Sequence, residues 1–123
     1  MQQFENVISD KGSKYAVSGG PVADQDEAKA FLRVLKRKKK YGRATHNSWA
    51  VLFRNEAGVL VPIKNDDGES GAGNMILRNL EREGLEGHII VVTRWYGGVH
   101  LGGDRFRHVQ SCVRHYLDHW KEV

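Results

Sequence analysis

The sequence predicts an α+β domain, a two-layer sandwich in which helices cover one face of a sheet. Three observations predict this class. Segments with helical spacing of apolar residues alternate with short strand-like segments, two of the strands flank a turn as in a hairpin, and residues 88–93 form a continuous apolar run typical of a buried central strand. The predicted element order is β-α-β-β-α-β-α, and mixtures of this kind favour a two-layer arrangement.

The first elements follow from alternation, capping and helical spacing. Residues 1–12 are polar and predict an N-terminal arm or a short strand, and residues 14–18 predict a strand that ends at the Gly-Gly-Pro of residues 19–21. Asp24, with Glu27 three residues later, matches a capping box at a helix start. A helix over residues 25–39 is then indicated by apolar residues at helical spacing: Ala28, Phe31, Leu32 and Leu35.

The second half contains a hairpin, two helices and the buried strand. Strands at 49–53 and 60–63 flank a turn at 55–58, and Pro62 favours an edge position. A helix over 72–83 ends at Gly84. After the strand at 88–93 and a glycine-rich loop, Asp104 is predicted to cap a last helix. Its apolar face comprises Phe106, Val109, Val113, Tyr116, Leu117 and Trp120.

Length and composition exclude several classes of protein. A chain of 123 residues, 40% hydrophobic and 28% charged, predicts a single globular domain over residues 1–123. Its one cysteine, Cys112, excludes an internal disulfide and fits a small core residue in a reducing compartment. No apolar run approaches the ~18 residues of a membrane span, and the N-terminus lacks the apolar stretch of a signal peptide. We therefore expect a cytoplasmic protein with no membrane contact.

The charge distribution is more informative than the net charge of +4. Residues 28–55 contain nine Lys and Arg side chains and no Asp or Glu. Helical spacing places five of them on one side of the first helix, a surface called the basic face here: Lys29, Arg33, Lys36, Arg37 and Lys40. A solvated helix face is the plain interpretation, but such a face more often intersperses acidic residues. The other interpretation is an anionic partner, such as RNA, a ribosome or an acidic protein surface.

Polar residues in three further segments could carry chemistry. Residues 44–47 place a hydroxyl, an imidazole and an amide in a row, and residues 66–69 contain three carboxylates that could hold Mg²⁺ or act as acid and base. Residues 93–106 form a strand, a glycine-rich loop and a helix start, which could cradle an anion. Structural turns remain alternatives for all three segments. The candidate binding residues are Thr45, His46, Asn47, Asp66, Asp67, Glu69, Arg94, Trp95, His100 and Arg105.

The same three stretches, taken together, resemble the Impact/YigZ family. They are Ala44–Asn47, Asp66–Glu69 and Val91–Gly102, and the similarity in order and spacing spans about residues 13 to 117. The forms of residues 67–73 and 103–109 are more similar to eukaryotic Impact than to bacterial YigZ. The sequence carries neither the RWD domain of eukaryotic Impact nor the C-terminal ferredoxin-like domain of YigZ.

The resemblance implies a fold and a role. The implied fold is ribosomal protein S5 domain 2-like, with a left-handed crossover. The implied role is translational control, because eukaryotic Impact proteins restrain the kinase of the amino-acid starvation response and bind actin. No enzymatic activity is established for the family, so the resemblance implies neither catalysis nor a cofactor.

The leading hypothesis is a noncatalytic binding module of the translation apparatus. Its basic face would contact a ribosome, RNA or a translation-regulator protein, with the polar loops as a second surface and no metal. One alternative is an enzyme for a phosphate- or nucleotide-bearing substrate at the surface formed by residues 66–69 and Arg94, with His46 or His100 as acid or base. The other alternative is an interaction domain for actin or a kinase regulator. The sequence predicts no oligomeric state.

Overall fold

The computed structural model describes residues 1–122. Two strands open the chain and form a hairpin, β1 and β2, which two helices follow. The bounds are β1 Gln2–Asp10, β2 Ser13–Pro21, α1 Gln25–Arg37, α2 Lys39–Gly42, β3 His46–Arg54, β4 Leu60–Asn65, α3 Ala72–Glu83, β5 His88–Trp95 and α4 Asp104–His119, with a 3₁₀ turn at Trp120–Glu122. The predicted strands and long helices are therefore present. Of the two alternatives for residues 1–12, an arm or a short strand, the structure has the strand, which is nine residues long.

The strands form one antiparallel sheet in the order β1-β2-β5-β3-β4. The predicted central strand, β5, lies between β2 and β3, where neighbours satisfy both of its edges. Pro62 lies in β4 at the edge of the sheet, as expected for a residue with no N–H to donate. The register places Arg94 opposite Tyr15 on β2 and opposite His46 on β3.

Helices pack on both faces of this sheet, so the expectation that they cover one face is wrong. Ile90 and Val92 of β5 pack with residues of α3 and α4, such as Ile76 and Val113. The alternate residues of β5, Ile89 and Val91, pack with Ala28 and Leu35 of α1 and with Tyr41 of α2. The physical reason is visible in the continuous apolar run of β5, because a strand covered on one face only would alternate apolar and polar residues. Cys112 is buried in the α3/α4 layer, as predicted, and burial raises the pKa of its thiol to about 12.

The helix ends follow local chemistry. The Asp24 carboxylate accepts the N–H of Glu27 at 2.9 Å, and Glu27 accepts the N–H of Ala23 at 2.8 Å, so the predicted capping box is present in a slightly displaced form. α3 ends at Gly84 in the left-handed conformation, as predicted.

Two predicted helix boundaries are wrong. α1 ends at Arg37, because Lys38 is extended, and residues 39–42 form a separate turn of helix. Asp104 is the first residue of α4 and caps nothing, since Gly103 precedes the helix without a side-chain hydrogen bond. Within residues 1–122, no helix is long and apolar enough to cross a lipid bilayer.

Candidate functional site

The side-chain alternation of the central strands creates a polar site beneath α3 and α4. Arg94 is the last buried residue of β5, and the register brings His46 of β3 and Tyr15 of β2 beside it. All three side chains point to the α3/α4 layer, because each lies an even number of residues from the core residues of its strand that face this layer. The loop before α3 and the first turn of α4 close over them and contribute Glu69 and Arg105.

Glu69 is the centre of this site, although it is only 3% exposed. Arg94, 6% exposed, donates from Nη1 to both carboxylate oxygens at 3.1 and 3.0 Å. His46 Nε2 and Arg105 Nη1 each lie 3.8 Å from a Glu69 oxygen. We call His46, Glu69, Arg94 and Arg105 the Glu69 cluster. Its one carboxylate faces two guanidinium groups, so the cluster holds an excess of positive charge.

Asp66 is committed to the start of α3. Its two carboxylate oxygens accept the N–H of Gly71 at 3.0 Å and that of Gly73 at 2.8 Å. Gly71, the residue before α3, has no side chain with which to cap it, so Asp66 supplies the acceptor that a Ser or Asp usually supplies there. Each carboxylate oxygen of Asp66 is thereby engaged by one backbone donor.

Asp67 fixes the start of β3. Its Oδ2 accepts the N–H of Asn47 at 2.7 Å, and its carbonyl oxygen lies 2.8 Å from His46 Nδ1. A Cβ on Gly68 would stand 3.0 Å from the His46 ring, so the chain passes close over the imidazole. Across residues 1–122, no three His, Cys, Asp or Glu side chains are grouped so as to hold a metal ion. Asp66 and Asp67 each hold loop backbone through their hydrogen bonds.

Ser13 and Thr45 join the loops to the glycine-rich segment. The Ser13 hydroxyl oxygen accepts from Arg94 Nη2 at 3.4 Å and from the N–H of Gly97 at 3.2 Å. Thr45 Oγ1 accepts the N–H of Tyr96 at 2.9 Å. A Cβ on Gly97 would stand 2.0 Å from the Gly12 carbonyl carbon, so glycine is required for this close approach. The glycine-rich loop is thus held by packing and by hydrogen bonds to strand ends.

Three polar atoms of the site have no hydrogen-bond partner among the described residues: the Tyr15 hydroxyl and the Nε atoms of Arg94 and Arg105. Burial raises the pKa of Tyr15 to about 12, so its phenol is protonated at neutral pH. Buried polar atoms are usually paired, by ordered water where the protein offers no acceptor. Chemically, the site can donate hydrogen bonds to an acceptor-rich group beside Glu69.

Not all predicted loop residues join this site. The side chains of Asn47 and Trp95 project to the opposite face, where Asn47 Nδ2 donates to the Tyr41 carbonyl at 3.0 Å and Trp95 Nε1 donates to the Lys40 carbonyl at 2.9 Å. Strand alternation explains this, because each is adjacent in sequence to an inward residue of the cluster. His100 is exposed, and its described ring contact is with Tyr96, 5.5 Å between centroids.

The basic face lies on the other side of the sheet. Four of its five residues are on α1 and are exposed, and none of the four has an ion pair within residues 1–122: Lys29, Arg33, Lys36 and Arg37. Acidic residues of α1, Asp26 and Glu27, are confined to its first turn. Positive charge is therefore concentrated along the C-terminal half of α1.

The fifth member, Lys40, is placed differently from the prediction. The break at Lys38 moves it into α2, where its Nζ lies 2.9 Å from Glu5 Oε2 and 5.2 Å from the Trp95 ring centroid. Its hydrogen bond, with a second from the Tyr41 hydroxyl, lowers the pKa of Glu5. Lys40 is thus partly neutralised by β1, while the cations of α1 are not.

Sequence reasoning missed Ser13, Tyr15 and Glu5. Each lies in the β1–β2 hairpin, and the sequence contains no motif that marks these residues. The one available signal was strand alternation, which places Tyr15 on the same face of β2 as the core residue Val17. Their roles depend on pairing with strands far away in the chain, which a local pattern does not encode.

Comparisons with known proteins agree with this structure. The family model of the Impact N-terminal domain matches residues 11–117. Protein IMPACT of Rattus norvegicus is 36% identical over 111 residues, which cover 89% of this chain and 35% of that protein. The Protein IMPACT homolog of Caenorhabditis elegans is 36% identical over 115 residues, which cover 90% of this chain and 44% of that protein. The chain therefore spans less than half the length of these relatives.

Two solved structures are similar to this chain. The two-domain translational regulator Yih1 is 30% identical with a TM-score of 0.60, over 94% of this chain and 44% of that one. The crystal structure of a hypothetical protein has a TM-score of 0.75 at 24% identity, over 95% of this chain and 57% of that one, and so shares the fold. With the family model matched over most of its length, the chain belongs to the Impact family through its Impact N-terminal domain.

Proposed function

We propose that this domain is a noncatalytic binding module in translational control, and that the basic face is its contact surface. One observation carries the proposal. Four exposed cations of α1 lack ion pairs within the described chain, whereas the acidic residues of the polar loops are already engaged by backbone donors and by Arg94. The relationship to IMPACT proteins and to the translational regulator Yih1 supports the assignment to translation.

The basic face supports an anionic partner on energetic grounds. Like charges four residues apart on a helix repel by a few tenths of a kcal/mol per pair, and Lys29, Arg33 and Arg37 are spaced in this way. An anionic partner would relieve this repulsion, and it would add long-range attraction that speeds association. The ribosome, RNA and an acidic translation regulator all have the required charge.

The test is co-sedimentation with ribosomes from cytosolic extract, with and without nuclease. Lys36→Glu/Arg37→Glu should abolish sedimentation. The matched control is Arg78→Glu/Arg82→Glu. It makes the same charge change at exposed residues of α3, the helix that covers part of the opposite face of the sheet. If the contacts are to RNA, binding to four phosphates would give a slope of log K against log[salt] of about −3 on single strands. Equal sedimentation of both variants would contradict the proposal.

A second candidate, an enzyme for a phosphate-bearing substrate, is favoured by one observation. The Glu69 cluster holds buried Nε donors without described partners at Arg94 and Arg105, and the nearby Tyr15 hydroxyl has none either. The test is a thermal-shift screen with nucleotides and Mg²⁺, in which a ligand at 100 times its Kd adds about 2.7 kcal/mol to the free energy of unfolding. A flat screen would remove this candidate and leave the binding module.

We also propose that the fold is of the ribosomal protein S5 domain 2-like type. The sheet order β1-β2-β5-β3-β4 and the pairing of α3 with α4 on one face support this assignment. Superposition on S5 domains tests it, and a different strand order in the superposed core would contradict it.

A further inference from the structure

A shallow apolar groove runs beside the basic face. It has a volume of about 350 Å³ and lies between α1 and the end of β2. Its lining is Met1, Pro21, Val22, Glu27, Ala30, Phe31 and Val34. Val34 is 49% exposed, so this part of α1 presents apolar surface where a soluble helix usually presents polar groups. We call this feature the Val34 groove.

Helical geometry places the groove next to two arginines and away from two lysines. At 100° per residue, Ala30 and Val34 lie on one flank of the exposed surface of α1, and Arg33 and Arg37 lie at its centre. Lys29 and Lys36 lie on the far flank. A partner seated in the groove would therefore meet arginine first.

Resting on the proposed function, we propose that the Val34 groove and the adjoining arginines bind one class of partner, an acidic amphipathic helix of another protein. Its apolar residues, at helical spacing, would cover Ala30, Phe31 and Val34, and its carboxylates would pair with Arg33 and Arg37. Helix-in-groove recognition uses this combination of apolar anchors and flanking charge. Arginine suits it, since the guanidinium binds a carboxylate through two parallel hydrogen bonds.

The groove fits a protein helix better than a nucleic acid. RNA binding surfaces combine cations with exposed aromatic faces on which bases stack. Here Phe31 is half-buried, and it packs against Gly20, where a Cβ would lie 3.1 Å from the ring. Trp95, which contacts Lys40 of the basic face, also packs against Tyr41. Phosphates and ribose would leave the apolar lining uncovered.

Charge also sets the direction of the bound helix. Glu27 lines one end of the groove, and Asp26 lies beside it in the first turn of α1. Arg33 and Arg37 lie about two and three turns further along α1. The carboxylates of the partner would therefore lie toward the C-terminal end of α1, with uncharged or basic residues near Glu27.

The experiment titrates the domain with two probes by fluorescence anisotropy. The first is a capped peptide of about sixteen residues, long enough for some helix in isolation, with leucines at i, i+3, i+4 and i+7 and glutamates on one adjoining flank. Its control is the same composition scrambled. The second probe is an oligouridine of about twelve nucleotides.

Three variants separate the outcomes. Val34→Asn, which removes apolar surface without changing the charge, should weaken peptide binding by about tenfold, corresponding to ~1.4 kcal/mol, and leave oligouridine binding unchanged. Arg33→Glu/Arg37→Glu should weaken peptide binding by more than this, whereas Arg78→Glu/Arg82→Glu on α3 should leave it within about twofold. Circular dichroism establishes that each variant is folded, as expected for changes at exposed residues.

Three results would overturn the inference. The first is equal peptide binding by the parent protein and Val34→Asn, and the second is equal binding of the designed and scrambled peptides. Binding of oligouridine but not of peptide would also overturn it, while leaving the proposed role in translation intact. Conversely, Val34-dependent peptide binding in a protein that fails to sediment with ribosomes would support the groove and contradict the proposed function.

Discussion

Around Glu69, charged side chains meet one another inside the protein, whereas along α1 four cations lie on the surface without an ion pair in the described chain. Glu69 and Arg94 are almost wholly buried, and each needs the other because an unpaired buried charge is strongly unfavourable. The cations of α1 remain hydrated, so the fold does not depend on them. The Glu69 cluster therefore contributes to the stability of the fold, whereas the charges of the basic face are available to a partner.

The difference shows how to separate structure from function in this domain. A charged residue that stands out in the sequence can either stabilise the fold or bind a partner. Residues that are buried and paired within the protein stabilise the fold, whereas exposed residues without an ion pair are available for binding. Substitutions in the Glu69 cluster should change the free energy of unfolding. Substitutions on the basic face should change binding instead.

The largest effect is expected for Glu69→Gln. This change leaves the Arg94 guanidinium buried opposite a neutral amide, and breaking one side of a buried pair costs about 3–5 kcal/mol. Urea unfolding measures the loss. The matched control is Glu86→Gln, which breaks the exposed pair with Arg54 and should cost less than about 1 kcal/mol. Equal losses of unfolding free energy in the two variants would mean that the buried Glu69 cluster stabilises the fold no more than an exposed ion pair does.

A pH titration of stability tests a buried group outside both regions. His88 lies at the other end of β5, hydrogen-bonded with the Tyr116 hydroxyl, and burial lowers its pKa from 6.5 to about 4. Between these values the unfolded chain binds a proton that the folded protein does not. Stability is therefore complete above pH 6.5 and falls as the pH is lowered toward 4.

The size of this loss is about 3 kcal/mol, at ~1.4 kcal/mol per pKa unit. The measurement is urea unfolding of the parent protein and of His88→Gln across this pH range. The difference in unfolding free energy between the two proteins should shrink or reverse in acid. A difference independent of pH would show that His88 does not titrate abnormally. The comparison of the two charged regions is best made above this range.

Asp66→Asn should have an intermediate effect. An amide has one oxygen where the carboxylate has two, so one of the N–H groups of Gly71 and Gly73 would lose its acceptor. Loss of a side-chain acceptor at a helix start costs about 0.5–2 kcal/mol. Asp26→Asn, on the exposed first turn of α1, is the control and should cost a few tenths of this amount. A similar loss in both variants, measured by thermal unfolding, would argue against a capping role for Asp66.

The sequence predicted the basic face more accurately than the polar site, for a physical reason. Helical spacing is local, so the side of α1 occupied by Lys29 and Arg33 follows from a few neighbouring residues. The interruption at Lys38, which removed Lys40 from that helix, depends on contacts of α2 with Trp95 and β1. No property of five consecutive basic residues encodes it.

The sequence predicted which loops contribute to the polar site, but only part of the set of side chains that meet there. His46, Glu69 and Arg94 are brought together, as expected from the resemblance. The side chains of Asn47 and Trp95 lie on the opposite face of the sheet and so do not join the site. Which residues of β3 and β5 face α3 and α4 depends on how the strands pair, and a local sequence pattern does not show that. The second helical layer was likewise implied by the apolar run of β5, but the sequence did not show which helix would cover it.

The smallest effect on stability is expected for Lys36→Gln/Arg37→Gln. Both residues lie in the last turn of α1, where each positive charge interacts favourably with the helix dipole by about 0.3–1 kcal/mol at low ionic strength. Removing them also relieves like-charge repulsion of a few tenths of a kcal/mol per pair. Because the two terms oppose each other and salt screens both, the net change should stay below about 1 kcal/mol and shrink as salt is added.

Urea unfolding at low and high ionic strength checks this expectation, with Arg78→Gln/Arg82→Gln on α3 as the variant of equal charge. A loss of more than about 2 kcal/mol would exceed what exposed substitutions usually produce. It would mean that the cations of α1 are held by the fold, and the contrast with the Glu69 cluster would fail. A small change together with loss of ribosome sedimentation would instead assign those charges to a partner, because stability and binding would then depend on different residues.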